Sequence, residues 1–290
     1  MTSPIELRHR IKRFLRFSKQ ELSTIVIATL IMGFIFSFRD WGDTTFNLSM
    51  GLTHLILTVL IVFVSIIFKL TCQKLYALST GYKAEFKVWW AGLIIALVFA
   101  FITKGIVPLV LTGTIVTSFM VKQRLGEFRY AHNYEENAMA AQWGVYGALI
   151  MAMIFAIGLL YFPESYFFNM GVFFNLVMAA SALIPIPQLD GLTIIWGSKL
   201  YYIIGITLSL LSPLLLLSYK INLVPQKVGL ITAIVIGSIS GIIYMLVMSE
   251  RINDHLPKSK KYSPKQRLWY IRAKEVVISS GSIERPLVFG

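Results

Sequence analysis

Six apolar stretches of roughly 17 to 21 residues recur along this chain, at 22–38, 48–68, 143–162, 167–186, 200–217 and 228–248. About 20 apolar residues suffice for a helix to cross a hydrocarbon core of ~30 Å. Composition removes the alternative of buried core helices. The chain is 56% apolar and only 14% charged, against roughly 25% charged in soluble domains. Its mean hydropathy is +0.70, and a soluble core of 290 residues has no means of burying that much apolar surface. The sequence therefore predicts an all-α polytopic membrane protein. Its parts are a basic N-terminal segment (1–21), a transmembrane domain of about six helices (22–248) and a basic C-terminal tail (249–290).

The net charge of +13 sits in loops and tails, so it reads as a topological signal and not as a nucleic-acid footprint. Arg8, Arg10, Lys12, Arg13, Arg16 and Lys19 precede the first apolar run, which lacks a small-residue cleavage site and so reads as an anchor. The single cysteine, Cys72, excludes an internal disulfide and a cysteine-rich metal site.

Residues 89–121 are irregular. An apolar piece, Trp89 to Thr103, is interrupted by Lys104-Gly105, followed by Pro108 and then the β-branched run Thr112-Gly113-Thr114-Ile115-Val116-Thr117. A re-entrant or helical hairpin fits, and so does a helix followed by membrane-associated strands. Cytoplasmic loops are enriched in Lys and Arg. If 89–121 enters and leaves on one side, 24 of the 27 basic residues share the side of the N-terminus, leaving Arg39, Lys220 and Lys227 opposite. A multi-pass protein of the cell membrane with both termini cytoplasmic is the expectation. In the tail, Ser263-Pro264 can open a helix as cap and first residue. The basic and aromatic residues after it suit an interfacial helix on anionic lipid headgroups, or a tail that merely enforces topology.

One polar feature stands at the end of a span. The run Ala182-Leu183-Ile184-Pro185-Ile186-Pro187-Gln188-Leu189-Asp190-Gly191 carries two prolines that cannot continue a regular helix, so the backbone opens just before Asp190. A carboxylate at the edge of a membrane span is a functional-site candidate; the alternative is a helix-ending turn with Asp190 at the water interface.

This run resembles the motif N-x-x-P-x-P-x-L-D-G of the site-2 protease family, intramembrane metallopeptidases whose aspartate is the third zinc ligand. Pro185, Pro187, Leu189, Asp190 and Gly191 stand in register, while Ala182 replaces the asparagine. The family's other motif, H-E-x-x-H, places two zinc-binding histidines on one helical face with a glutamate as general base. A glycine follows the first histidine by twelve residues, and an A-E-F-x-x-W run comes soon after. Here those landmarks are Gly81, then Ala84-Glu85-Phe86-Lys87-Val88-Trp89 and Gly92. Counting back puts Lys69, Leu70 and Gln73 where the histidine, glutamate and histidine belong. The family's G-P-x-x-N element keeps only its glycine in Gly144-Val145-Tyr146-Gly147-Ala148. His54 lies about 22 Å along a helix from Lys69 at 1.5 Å per residue.

The resemblance implies a site-2-protease-like scaffold with its chemistry removed. Such a protein is a pseudoprotease without zinc or any other cofactor, able to hold a transmembrane segment of another membrane protein, and its partners are that segment, the lipid bilayer and anionic lipids, not nucleic acid. An active intramembrane metallopeptidase with a non-standard site and a small membrane transporter remain as alternatives. If the three positions do surround a former metal centre, Asp190 needs a replacement partner, and Lys69 or Gln73 is expected to supply it.

Overall fold

The computed structural model describes residues 4–41, 46–119, 134–217, 231–233 and 235–236. Every described residue lies in one compact unit, within Met1–Ile236. The expected span 228–248 falls almost wholly outside the described residues, and the basic tail 249–290 entirely so.

The described chain is mostly helical. A short helix α1 (Pro4–Phe14) precedes α2 (Lys19–Phe36), which opens with a capping box. Ser18 Oγ accepts from the Glu21 amide at 3.0 Å while Glu21 Oε2 accepts from the Ser18 amide at 2.9 Å, satisfying two orphan donors of the first turn reciprocally. Helix α3 (Leu48–Thr80) has 33 residues and ends on Gly81 in the left-handed region, φ 92°. At 1.5 Å per residue it is about 50 Å long, so it continues well past the span expected to end at residue 68. The added turns bury polar and apolar side chains alike, Lys69, Gln73 and Lys74 beside Leu70, Tyr76, Ala77 and Leu78.

Strand β1 (Tyr82–Val88) follows, then α4 (Trp90–Ile102) and β2 (Gly113–Phe119). The strands pair antiparallel, from Tyr82 opposite Phe119 to Val88 opposite Gly113. This sheet corrects the all-α expectation. In β1, Tyr82, Ala84 and Phe86 are buried while Glu85 and Lys87 are exposed, the period-two pattern of a half-buried strand. Helix α4 has 13 residues, about 20 Å. The pairing of Val88 with Gly113, with the Trp89 amide donating to Thr112 O at 3.0 Å, brings both ends of segment 89–112 together. Within this segment a helix, α4, is followed by a strand, β2.

The remaining helices are α5 (Tyr134–Tyr161), α6 (Tyr166–Ala182), α7 (Asp190–Gly197) and α8 (Lys199–Leu216). Four described helices, α2, α3, α5 and α8, are long and apolar enough to cross a membrane; α6 with 17 residues and α4 are shorter. Helix α5 is the central post, packed against α3, α6, α7 and α8 through small buried residues such as Gly144, Gly147, Ala148 and Ala152. Outward faces are apolar too. Leu22, Val26 and Leu30 on α2 and Leu52, Ile56 and Leu60 on α3 are exposed at helical spacing, as a surface turned toward lipid requires.

Candidate functional site

Helix α6 ends at Ala182, and residues 183–189 make the break that the prolines dictate. Ile186, Pro187, Gln188 and Leu189 form a turn closed by the Leu189 amide on Ile186 O at 3.1 Å. Proline sits second and Gln188 third with φ 73°, the arrangement of a type II turn. Pro185 and Pro187 are exposed while Leu189 is buried. The chain then re-enters the protein as α7, whose first residue is Asp190. Gly191 is a steric necessity. A Cβ there would lie 2.4 Å from Leu183 O and 2.6 Å from Ile184 O.

Asp190 is fully buried, and both its carboxylate oxygens are engaged. Lys69 Nζ lies 2.8 Å from Oδ2, and Gln73 Nε2 donates to the same oxygen at 3.1 Å. Thr114 Oγ1, from β2, donates to Oδ1 at 2.6 Å. Lys69 and Gln73 are four residues apart on α3, so they present to one side. The Gln73 amide also donates to Ala141 O at 3.3 Å. A close approach of α5 at Gly144 shapes this space, since a Cβ there would stand 2.2 Å from Gln73 Nε2. Leu70 is buried but offers only hydrocarbon. Lys69, Gln73 and Asp190 are thus brought together, and the expectation that Lys69 or Gln73 contacts Asp190 is met by both.

Comparison with known proteins adds a relative. The chain is 28% identical over 198 residues to a protein named "Putative zinc metalloprotease" of Methanocaldococcus jannaschii, a stretch covering 67% of this chain and 93% of the relative. No family model matches the chain, and no solved structure matches it. The likeness supports a metalloprotease-like relationship, and with the apolar helices it fits a membrane metalloprotease-like protein.

The residues around Asp190 do not fit the zinc ion in that relative's name. Zinc is held by deprotonated nitrogen, sulfur or oxygen lone pairs, almost always four in a structural site and three plus water in a catalytic one. Here the Lys69 ammonium, which has donors and no acceptor, stands against the carboxylate, and Gln73 turns its amide nitrogen to it. Among the described residues no three His, Cys, Asp or Glu side chains gather as a metal cluster. His54 is engaged far along α3, stacked on Tyr166 with ring centroids 3.9 Å apart and with Nδ1 3.6 Å from Asp40 Oδ2. His9 is exposed on α1, and His132 and His255 lie outside the described residues.

Two parts of the site escaped sequence reasoning. Thr114 read only as one member of a β-branched run, although a hydroxyl on a strand that folds back beside α3 is a natural partner for a buried acid. Lys74, one residue from Gln73, turns to a different carboxylate. Its Nζ is 2.9 Å from Glu21 Oε1, and the same Glu21 oxygen accepts the Phe86 amide at 2.7 Å. This buried junction ties the start of α2, the far end of α3 and the outer edge of β1. The capping-box spacing from Ser18 to Glu21 was its one sequence signal.

Proposed function

We propose that this chain is a non-catalytic member of the site-2 protease family, a pseudoprotease that holds a transmembrane or extended segment of another membrane protein without cleaving it. The observation that carries this reading is the Lys69 ammonium 2.8 Å from Asp190 Oδ2. A fixed cation beside the carboxylate removes the need for a metal there. Buried Leu70 supplies no general base at the glutamate position, and Ala182 supplies no amide where the family has one to hold a substrate backbone. The relative named as a zinc metalloprotease supports the scaffold. Segment 89–112, which leaves and returns at one place, supports a topology in which it does not cross the membrane and both termini are cytoplasmic.

Metal analysis of the purified protein, with and without Lys69→His/Leu70→Glu/Gln73→His, tests the reading, together with cleavage of transmembrane peptides by each. The expected result is no stoichiometric zinc and no cleavage by the natural chain, while the triple substitution gains zinc. Zinc near one equivalent in the natural chain, lost in Asp190→Ala, overturns the proposal in favour of an active metallopeptidase with a non-standard site. Photo-crosslinking from Thr114 in cell membranes tests the holding role, and a single-pass or multi-pass membrane protein is the expected adduct.

A further inference from the structure

We propose that the exposed face of α1, continued by Arg16 and Lys19, binds the phosphate headgroups of anionic phospholipids. Helix α1 is not a loose basic arm. Arg10 is buried and its Nη1 donates to Leu78 O, near the end of α3, at 3.1 Å. Leu7, Ile11 and Phe14 on the same side are partly covered. At about 100° per residue, Leu7, Arg10, Ile11 and Phe14 occupy one arc of roughly 100°. Arg8, His9, Lys12 and Arg13 occupy the opposite arc and are all exposed. Docking on α3 therefore fixes which way the cations face.

Charge and position together name the occupant. Arg8, Lys12, Arg13, Arg16 and Lys19 are exposed, and none of the five forms an ion pair with a described carboxylate. Nearby Glu21 is already committed to Lys74. The apolar outward stripe of α2 begins at Leu22, three residues or about 4.5 Å beyond Lys19. Lys19 and Arg16 thus stand at the border of the lipid-facing surface, where headgroup phosphates lie, and α1 with its exposed cations directly precedes them. Ile5, 73% exposed, falls within the basic arc. An apolar residue set among cations is what an interfacial helix inserts between headgroups. Basic clusters at the end of a membrane span recruit anionic lipids in this way.

The test uses the full-length protein in nanodiscs containing phosphatidylcholine with a minority of phosphatidylglycerol, and native mass spectrometry of the lipids it retains. The variants are Arg8→Gln/Lys12→Gln/Arg13→Gln/Arg16→Gln, which leaves Arg10 in place, and a tail control, Lys258→Gln/Lys260→Gln/Lys261→Gln/Lys265→Gln. Retention of phosphatidylglycerol over phosphatidylcholine is expected in the natural chain. The α1 variant is expected to weaken it at least about tenfold, since each Lys or Arg near an anionic surface is worth roughly fivefold. The preference should also shrink as salt rises, and the tail control should keep the part that depends on α1. Equal retention of the two lipids, or a preference that survives the α1 variant and vanishes in the tail control, overturns the proposal and leaves α1 as a topological signal or a site for an acidic protein segment.

Discussion

The Lys69 ammonium and the Asp190 carboxylate meet at 2.8 Å across the junction of α3 and α7, with Asp190 fully buried. Breaking a buried pair from one side strands a charge and costs about 3–5 kcal/mol, whereas replacing both partners by apolar residues is often neutral. Lys69→Met is therefore expected to lower unfolding stability in mixed micelles by that amount, with Asp190 left to Gln73 and Thr114. Lys69→Met/Asp190→Leu should recover most of the loss. A single substitution costing under about 1 kcal/mol would remove the ion pair from any structural role.

Thr114 gives Asp190 its third hydrogen bond, and with it ties β2 to α7. Hydrogen bonds to charged groups contribute about 1.5–3 kcal/mol. Thr114→Val keeps the β-branched shape, so the expected loss of that size is the bond's and not the strand's. Amide exchange supplies the second reading: protection should fall in β1 and β2 and stay unchanged in α5 and α6.

The membrane character of the chain and the Asp190 turn were legible because each is local. Long apolar runs and the Pro185–Pro187 pair act through neighbouring residues in sequence, and the resemblance then set Lys69 and Gln73 opposite Asp190. The sheet was only half legible. Its inward residues Tyr82, Ala84 and Phe86 alternate cleanly with Lys83, Glu85 and Lys87, but β2, with which β1 pairs, lies beyond α4, and no local pattern states that pairing. Thr114 and the Glu21 to Lys74 junction were hidden for the same reason. Their partners are 76 and 53 residues away, and a polar residue in an apolar run does not announce which distant group it satisfies.

That second junction carries its own prediction. Glu21 accepts from Lys74, the Phe86 amide and the Ser18 amide, so Glu21→Ala removes an ion pair, a cap and the shield on one edge of β1 at once. The expected cost is about 3–5 kcal/mol. Glu21→Gln, which keeps an acceptor oxygen for the Phe86 amide, should cost less. Glu21→Ala/Lys74→Met should be milder than Glu21→Ala alone. Equal losses in Glu21→Ala and Glu21→Ala/Lys74→Met would show that the ion pair with Lys74 adds nothing to the cap and the Phe86 contact.

Two glycines at the site separate a rigid neighbour from a yielding one. A Cβ at Gly191 would meet Leu183 O at 2.4 Å and the Leu183 carbonyl carbon at 2.5 Å, backbone atoms held by the turn that precedes α7. Nothing short of moving α7 relieves that contact, and Asp190 moves with it. A Cβ at Gly144 would meet side-chain atoms of Gln73, Nε2 at 2.2 Å, Cδ at 2.6 Å and Cγ at 2.9 Å, a side chain that would have to give up Asp190 to turn aside. Overpacking costs about 1–3 kcal/mol, so Gly191→Ala is expected at or above the upper end and Gly144→Ala below it. The decisive measurement is coupling to Gln73, since residues in contact are not additive. Gly144→Ala should cost little once Gln73→Ala has cleared the space, whereas Gly191→Ala should cost the same in either background. If both glycines couple to Gln73 equally, the carboxylate shifts with the amide, and the turn from 183 to 189 is softer than its hydrogen bonds indicate.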